Sequence, residues 1–292
     1  MFIEPMLLEK REKPFDDDRF IYQPKIDGHR LILSRTSNQI RLYTRHNNDV
    51  TRQYPELHNV PIDGNVDVVL DGEIARMDEN GWIDFELIME RFHLKKDPWI
   101  LQAVRTRPVI YYVFDVLHYN GEDVRSWPLT ERLALLTSIL NPNSYFSLVL
   151  SVEGDGITLF DVIKSHKLEG IVAKRKDSRY EGSRSVNWLK IINYEYADVV
   201  IAGYRKNQFG WLAHYNGRPA GIIELAVPVA HRKAFYKVAN TIVTGEDRNF
   251  VYVQPQIKAR VRFRNYYRSG MLRSPEFVSF ISSVNPTSSH NA

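Results

Sequence analysis

Lys25-Ile26-Asp27-Gly28-His29-Arg30 puts an amine, a carboxylate and a glycine within four positions. An amine held in a cleft is a nucleophile once it loses its proton. Burial and neighbouring cations or metal favour the neutral form, and nearby carboxylates oppose it. On a strand, Lys25 and Asp27 share a face, and Gly28 lets the chain turn behind them. The same hexapeptide equally fits a surface ion pair between Lys25 and Asp27, a common and weak feature.

Other segments shift that balance. Tyr43-Thr44-Arg45-His46-Asn47 is followed by Leu70-Asp71-Gly72-Glu73-Ile74, which sets a carboxylate at the end of an apolar strand. Tyr112-Val113-Phe114-Asp115 ends a strand in an aromatic ring and an acid. Glu169-Gly170-Ile171-Val172-Ala173-Lys174 and Arg184-Ser185-Val186-Asn187-Trp188-Leu189-Lys190 follow. Singly, Glu73 is a strand-end charge, Phe114 a core aromatic and Lys190 part of a solvated face. Together they offer an amine, two carboxylates suited to a hard cation, a ring for a base and several cations for phosphates. Glu169 and Lys174 are five apart, so a regular strand puts them on opposite faces. Both reach one site only if Glu169 precedes the strand, with Gly170 at the bend.

The elements that must position these groups read as mixed α and β. Strands are expected at Ile21–Lys25, His29–Ser34, Ile40–Tyr43, Val66–Leu70 and Val109–Phe114. Thr130 can cap a helix running to about Leu140, and Thr158 a second that ends before Glu169. After Asn193 come short strands at Val199–Ala202, Gly221–Val227 and Phe250–Val253, with one helix near His231–Thr241. That pattern, in about 100 residues, suits a small β-barrel.

The chain has 292 residues, 43% hydrophobic and 25% charged, enough for one large domain or two ordinary ones with a real core. There is no cysteine, which excludes disulfides, thiol catalysis and cysteine zinc sites. No signal-peptide core or membrane-length apolar run is present, so a cytoplasmic protein without a membrane partner is expected. Neither G-x-x-x-x-G-K-[ST], H-E-x-x-H nor G-x-S-x-G occurs, and Ser282–Ala292 reads as a frayed polar tail.

Net charge is +4 but uneven. Tyr194–Ala292 carries 13 basic and 6 acidic residues; the rest carries 26 and 29. A basic C-terminal part on a mildly acidic body suggests a polyanionic partner. Within it, Lys258, Arg260, Arg262 and Arg264 alternate with Ala259, Val261 and Phe263. One strand face then fills a core while the other offers four cations to a phosphate backbone. A solvated edge guarded by charge gives the same pattern.

The ordered set around Lys25, Arg45, Glu73, Phe114, Glu169 and Lys190 resembles the motifs of the ATP-dependent DNA ligases, in the covalent nucleotidyltransferase superfamily. Val200-Ile201-Ala202-Gly203-Tyr204 and Met271-Leu272-Arg273-Ser274-Pro275-Glu276-Phe277 resemble the family's OB-fold domain. Minimal bacterial and phage ligases, and the ligase module of bacterial end-joining enzymes, are the closest in style. The resemblance implies an α+β fold. An adenylation domain of antiparallel sheets with flanking helices spans residues 1–193, an OB-fold β-barrel spans 194–292, and the two flex near Ile192–Tyr196. It implies a monomer that seals nicks in double-stranded DNA, using ATP as the AMP donor with Mg²⁺ or Mn²⁺.

By motif match, Lys25 carries the adenylate, Phe114 stacks on adenine and Gln23 lies near its edge. Arg30, Arg45 and Arg184 position ribose and phosphates, and Lys174 and Lys190 stabilise the α-phosphate. Glu73 and Glu169 hold the metal or act near the ribose, and Lys258, Arg260, Arg262 and Arg264 contact DNA. Three departures stand out. Gln23 replaces the family's usual Glu, Ile192 replaces its second lysine, and no R-x-D-K segment follows Phe277. An RNA ligase, a GTP-dependent capping guanylyltransferase and a nick-binding protein with impaired catalysis are the alternatives.

Overall fold

The computed structural model describes residues 1–79 and 83–281 and divides into two compact units, Met1–Asn193 and Tyr194–Ala292. The polar tail from Ser282 lies outside the described residues.

The first unit begins with β1 (Leu7–Lys10), β2 (Asp17–Pro24), β3 (His29–Thr36), β4 (Gln39–Thr44) and β5 (Val68–Ala75). There follow α1 (Phe85–Phe92), α2 (Asp97–Thr106), β6 (Ile110–Tyr119), β7 (Glu122–Asp123) and α3 (Leu129–Ile139). It ends with β8 (Phe146–Leu148), β9 (Val152–Gly154), α4 (Gly156–Ser165), β10 (Gly170–Arg175) and β11 (Arg184–Ile192).

The strands form two sheets, ordered β1-β11-β10-β2-β9 and β4-β3-β5-β6-β7, with β8 also on β6. Pairing is antiparallel except β1–β11 and β6–β8. Ile21 and Trp188 of the first sheet and Ile32, Val69 and Leu117 of the second share one core between the sheets. The first sheet's outer face is covered by α4, through Leu159 and Ile163. The second sheet's outer face carries Leu31, Leu33, Leu70 and Val113 against Ile88 of α1 and Leu136 of α3. Being covered on both faces explains the unbroken apolar run Leu31-Ile32-Leu33.

Both helix starts differ from expectation. Pro128, not Thr130, precedes α3: its carbonyl accepts from the Glu131 and Arg132 N–H groups, so Thr130 lies within the first turn. Asp155 caps α4 by accepting from the Thr158 N–H, so Thr158 is the capped residue.

The second unit contains β12 (Glu195–Arg205), β13 (Trp211–Tyr215), β14 (Arg218–Ile223), α5 (Val229–Ala239), β15 (Val243–Glu246), β16 (Phe250–Phe263) and β17 (Glu276–Phe280). Strand order is β14-β13-β12-β16-β15, with β17 also on β16, wrapped round Trp211, Phe235, Phe263 and Phe277. Among the described residues the expected barrel is not closed by a ladder; a parallel bridge, Leu225–Glu276, spans the gap. The strand expected to reach Val227 stops at Ile223, and Ala226, at φ 58°, lies in the left-handed region that extended chain avoids.

Candidate active site

A cleft opens between the two sheets of the first unit, with about 400 Å³ of empty space counted out into open solvent. β2, β10 and β11 supply one wall. Gln23 pairs across the ladder with Val172, and Lys174 with Trp188, so these four side chains share a face. The second sheet supplies Arg30, Glu73 and Phe114. Lys25 and Ile26 lie on the link by which the chain crosses from one sheet to the other, which puts the amine at the cleft.

The expectation that Lys25 and Asp27 share a strand face is corrected, because β2 ends at Pro24. Lys25 Nζ instead donates to Glu169 Oε2 at 2.7 Å, with the carboxylate buried and the amine 18% exposed. Gly28 is needed for packing: an added Cβ would lie 2.1 Å from the Ile74 carbonyl oxygen. Glu169 does precede β10, and Gly170 bends the chain at φ 149°. Lys174 lines the cleft, whereas Glu169 is outside the lining and reaches it through the Lys25 amine.

Phe114 is aimed by a β-bulge. Asp71 pairs with Asp115 and Gly72 with Val113, leaving Phe114 as the extra residue. Its ring carries Lys174 Nζ at 4.1 Å and the Arg30 guanidinium at 4.9 Å from its centroid. Lys174 Nζ is also 4.0 Å from the Trp188 ring and donates to the Phe114 carbonyl at 3.3 Å. Burial pushes this amine down to about 7, although Asp115 and Asp71 favour its charge.

Burial likewise pushes Glu73 up to about 7. Glu169 and Asp27 add to the rise, while Lys25 and Arg30 oppose it. A carboxyl held up by burial and like charge gains from a cation, and Mg²⁺ typically takes one or two carboxylates plus substrate phosphates. Glu73 and Glu169 fit that donor set. No group of three or more His, Cys, Asp or Glu suited to a metal occurs among the described residues.

The remaining residues divide. Arg30 lines the cleft but is committed to Asp71 by two bonds of 2.7 and 2.6 Å. Asp71 also accepts from Tyr180 Oη at 2.6 Å. Beside it, Asp115 is held by Arg132 at 2.8 and 2.9 Å, with both side chains fully buried. Asp115→Ala strands that arginine. It is expected to cost roughly 3–5 kcal/mol, a fall in Tm of roughly 6–20 °C; thermal unfolding within about 2 °C of the parent would contradict this.

Gln23 is buried and donates to Ser151 Oγ at 2.9 Å. Lys190 sits across from Val172 on the cleft-facing side but outside the lining itself. Arg45 and Arg184 are exposed and outside the lining. Arg45 lies past the end of β4 and contacts His46, and Arg184 donates to the Leu8 carbonyl at the rim. Asp71 and Ser151 escaped the sequence reading because their partners are 41 and 128 residues away.

In the second unit the apolar half of the basic strand's alternation is buried, but of the cations Arg262 is only half-exposed. Ala259, Val261 and Phe263 are buried, whereas Lys258 and Arg260 are exposed. The uniform cationic row needs correction. Arg260 pairs with Asp198 at 3.3 Å, Arg262 pairs with Glu276 at 2.8 Å, and Arg264 lies beyond β16.

Residues 5–191 match the ATP dependent DNA ligase domain family. The chain is 41% identical over 283 residues to the SPbeta prophage-derived DNA ligase-like protein LigB of Bacillus subtilis, covering 96% of this chain and 99% of LigB. It is 27% identical over 281 residues to the multifunctional non-homologous end joining DNA repair protein LigD of Mycobacterium tuberculosis. That match covers 87% of this chain and only 35% of LigD. A solved Lig E DNA ligase shares the fold, with a TM-score of 0.69 at 15% identity, over 96% of this chain and all of the other. That match shows the fold of the two-sheet unit and of the OB-type unit. The chain belongs to the ATP-dependent DNA ligase family. These matches favour a DNA ligase over the RNA-ligase and capping-enzyme alternatives. No described helix is long and apolar enough to cross a membrane.

Proposed function

We propose that this protein seals nicks in duplex DNA by carrying adenylate on Lys25. The observation that carries the reading is the Lys25 amine at the mouth of a cleft that also holds Phe114, Glu73 and Lys174, with Glu169 at 2.7 Å. Lys25 Nζ attacks the α-phosphorus of ATP, a phosphoramidate N–P bond forms, and the bond to pyrophosphate breaks. The ammonium must first shed a proton, and Glu169 Oε2 is within relay distance. The nick's 5′-phosphate then takes AMP from Lys25, and the 3′-hydroxyl displaces AMP to close the strand. Each step is phosphoryl transfer, in which positioning and charge neutralisation dominate.

Adenine stacks on Phe114, with Gln23 near its edge. Arg30, locked by Asp71, braces that ring from inside the cleft rather than gripping phosphate. Lys174 faces the α-phosphate, whose charge restores the proton that burial discourages. Lys190 reinforces it, while Arg45 and Arg184 serve the outer phosphates. Glu73 and Glu169 would hold Mg²⁺, which would supply charge neutralisation and polarisation of phosphoryl oxygens. Residues 1–193 are the adenylation domain and 194–292 the OB domain.

DNA contact falls on the β16 face of the second unit. Because Asp198 and Glu276 offset Arg260 and Arg262, the exposed Lys258 is the β16 cation whose loss should cost most. Lys258→Ala is expected to lower affinity uniformly across sequences and to shrink the salt slope by about 1, with Arg260→Ala giving less. Unchanged salt slopes in both variants would move the DNA contact elsewhere. The whole proposal is tested by incubation with labelled ATP, then nicked duplex, scoring both adduct and sealed strand. Adduct without sealing of nicked DNA would contradict DNA ligation and leave the RNA-ligase and impaired nick-binding readings.

A further inference from the structure

Glu169 stands outside the sheet ladder, on the bend that leads into β10. A carboxylate there keeps its place only if the bend itself is held. Gly170 makes the bend possible, since a Cβ would lie 2.1 Å from the Ile191 carbonyl oxygen. Three successive carbonyls around Glu169 are then each bonded. Leu168 O accepts from Asn193 Nδ2 at 3.0 Å, Glu169 O accepts from the Asn193 N–H at 2.9 Å, and Gly170 O accepts from the Lys25 N–H at 2.9 Å.

Lys25 and Glu169 are therefore joined twice, once at the ends of their side chains and once through the main chain at Gly170. Asn193 is the support on the other side of the bend, and its side-chain amide is the one side-chain group among these three donors. We infer that Asn193 is a positioning residue which fixes Glu169 against Lys25. The inference rests on the reading of Lys25 as the adenylate carrier. Asn193 touches neither nucleotide nor reacting atoms in this account; its effect passes through Glu169. Its spacing from the ligase motifs gave no hint of this, because the contact depends on β11 ending beside the bend.

The test is a double-mutant cycle on the full chain, reading the maximal rate of covalent adduct formation with labelled ATP and the ATP half-saturation. Asn193→Ala should slow adduct formation on the order of tenfold, as a small misplacement of reacting groups does, with half-saturation unchanged. In a Glu169→Gln background the same change should have less than about a twofold effect, because the route of action is already gone. Asn193→Asp keeps the size and removes the donor, and should behave like Asn193→Ala. Equal slowing with and without Glu169, or no slowing in the parent, overturns the inference. So does failure of both variants to fold, which would make Asn193 a stability residue. Absence of adduct on the parent protein overturns the Lys25 reading itself and is seen before any variant is made.

Discussion

Lys25→Ala should form no covalent nucleotide adduct and seal no nicks. The loss is expected to exceed that of any other single change in the cleft, because it removes the atom that bonds phosphorus rather than one that helps it. Non-covalent ATP binding should survive largely intact, since Phe114, Gln23 and Lys174 remain. The substitution also frees Glu169 of its partner at 2.7 Å, so the variant should bind divalent cation at least as well as the parent. Labelled-ATP adduct formation and equilibrium nucleotide binding, measured side by side, separate these effects. An alanine variant that still forms full adduct would show that the nucleophile lies elsewhere.

Lys174→Met should weaken catalysis and strengthen the fold. Removing a preorganised cation from a developing phosphoryl charge is expected to slow adduct formation on the order of 10²–10³-fold. The stability effect follows from the amine's folded value of about 7 against 10.5 for the free side chain. Below about pH 7 the amine is charged folded and unfolded alike, and the folded protein bears the whole penalty of burying it. Between 7 and 10.5 the unfolded chain alone binds the proton, so the parent's stability climbs with pH and the penalty shrinks. Above that window it is gone. Contacts with the Phe114 and Trp188 rings return up to about 2 kcal/mol, leaving a net penalty of a few kcal/mol. The methionine variant should melt above the parent at pH 6, and the gap should close toward pH 10. A gap independent of pH would refute the buried-amine assignment.

The parts of this site that were legible in the sequence are those fixed by spacing along one strand. The interval from Glu169 to Lys174 required a bend, and Gly170 is placed to make it. The alternation from Lys258 to Phe263 picked out the buried positions correctly, and of its cations Lys258 and Arg260 are exposed while Arg262 is half-buried. Readings failed where a distant strand supplies the partner. Arg30 has the look of a phosphate ligand until Asp71, two places along the neighbouring strand from its register partner Glu73, takes its guanidinium. Arg260 and Arg262 read as free cations until β12 and β17 bring up Asp198 and Glu276. The aim of Phe114 depends on a bulge created by pairing Asp71 against Asp115, which no local pattern announces. Capping failed for a different reason: Thr130 and Thr158 are competent caps, but Pro128 and Asp155 stand earlier in the chain and start their helices first.

The most direct measurement is peptide mapping by mass spectrometry after exposure of the intact protein to ATP and Mg²⁺. The peptide containing Lys25 should gain the mass of one adenylate, lose it on acid treatment, and lose it again when nicked duplex is supplied. An unmodified Lys25 peptide, with the adenylate found on Lys174, Lys190 or any other side chain, would contradict the account at its centre.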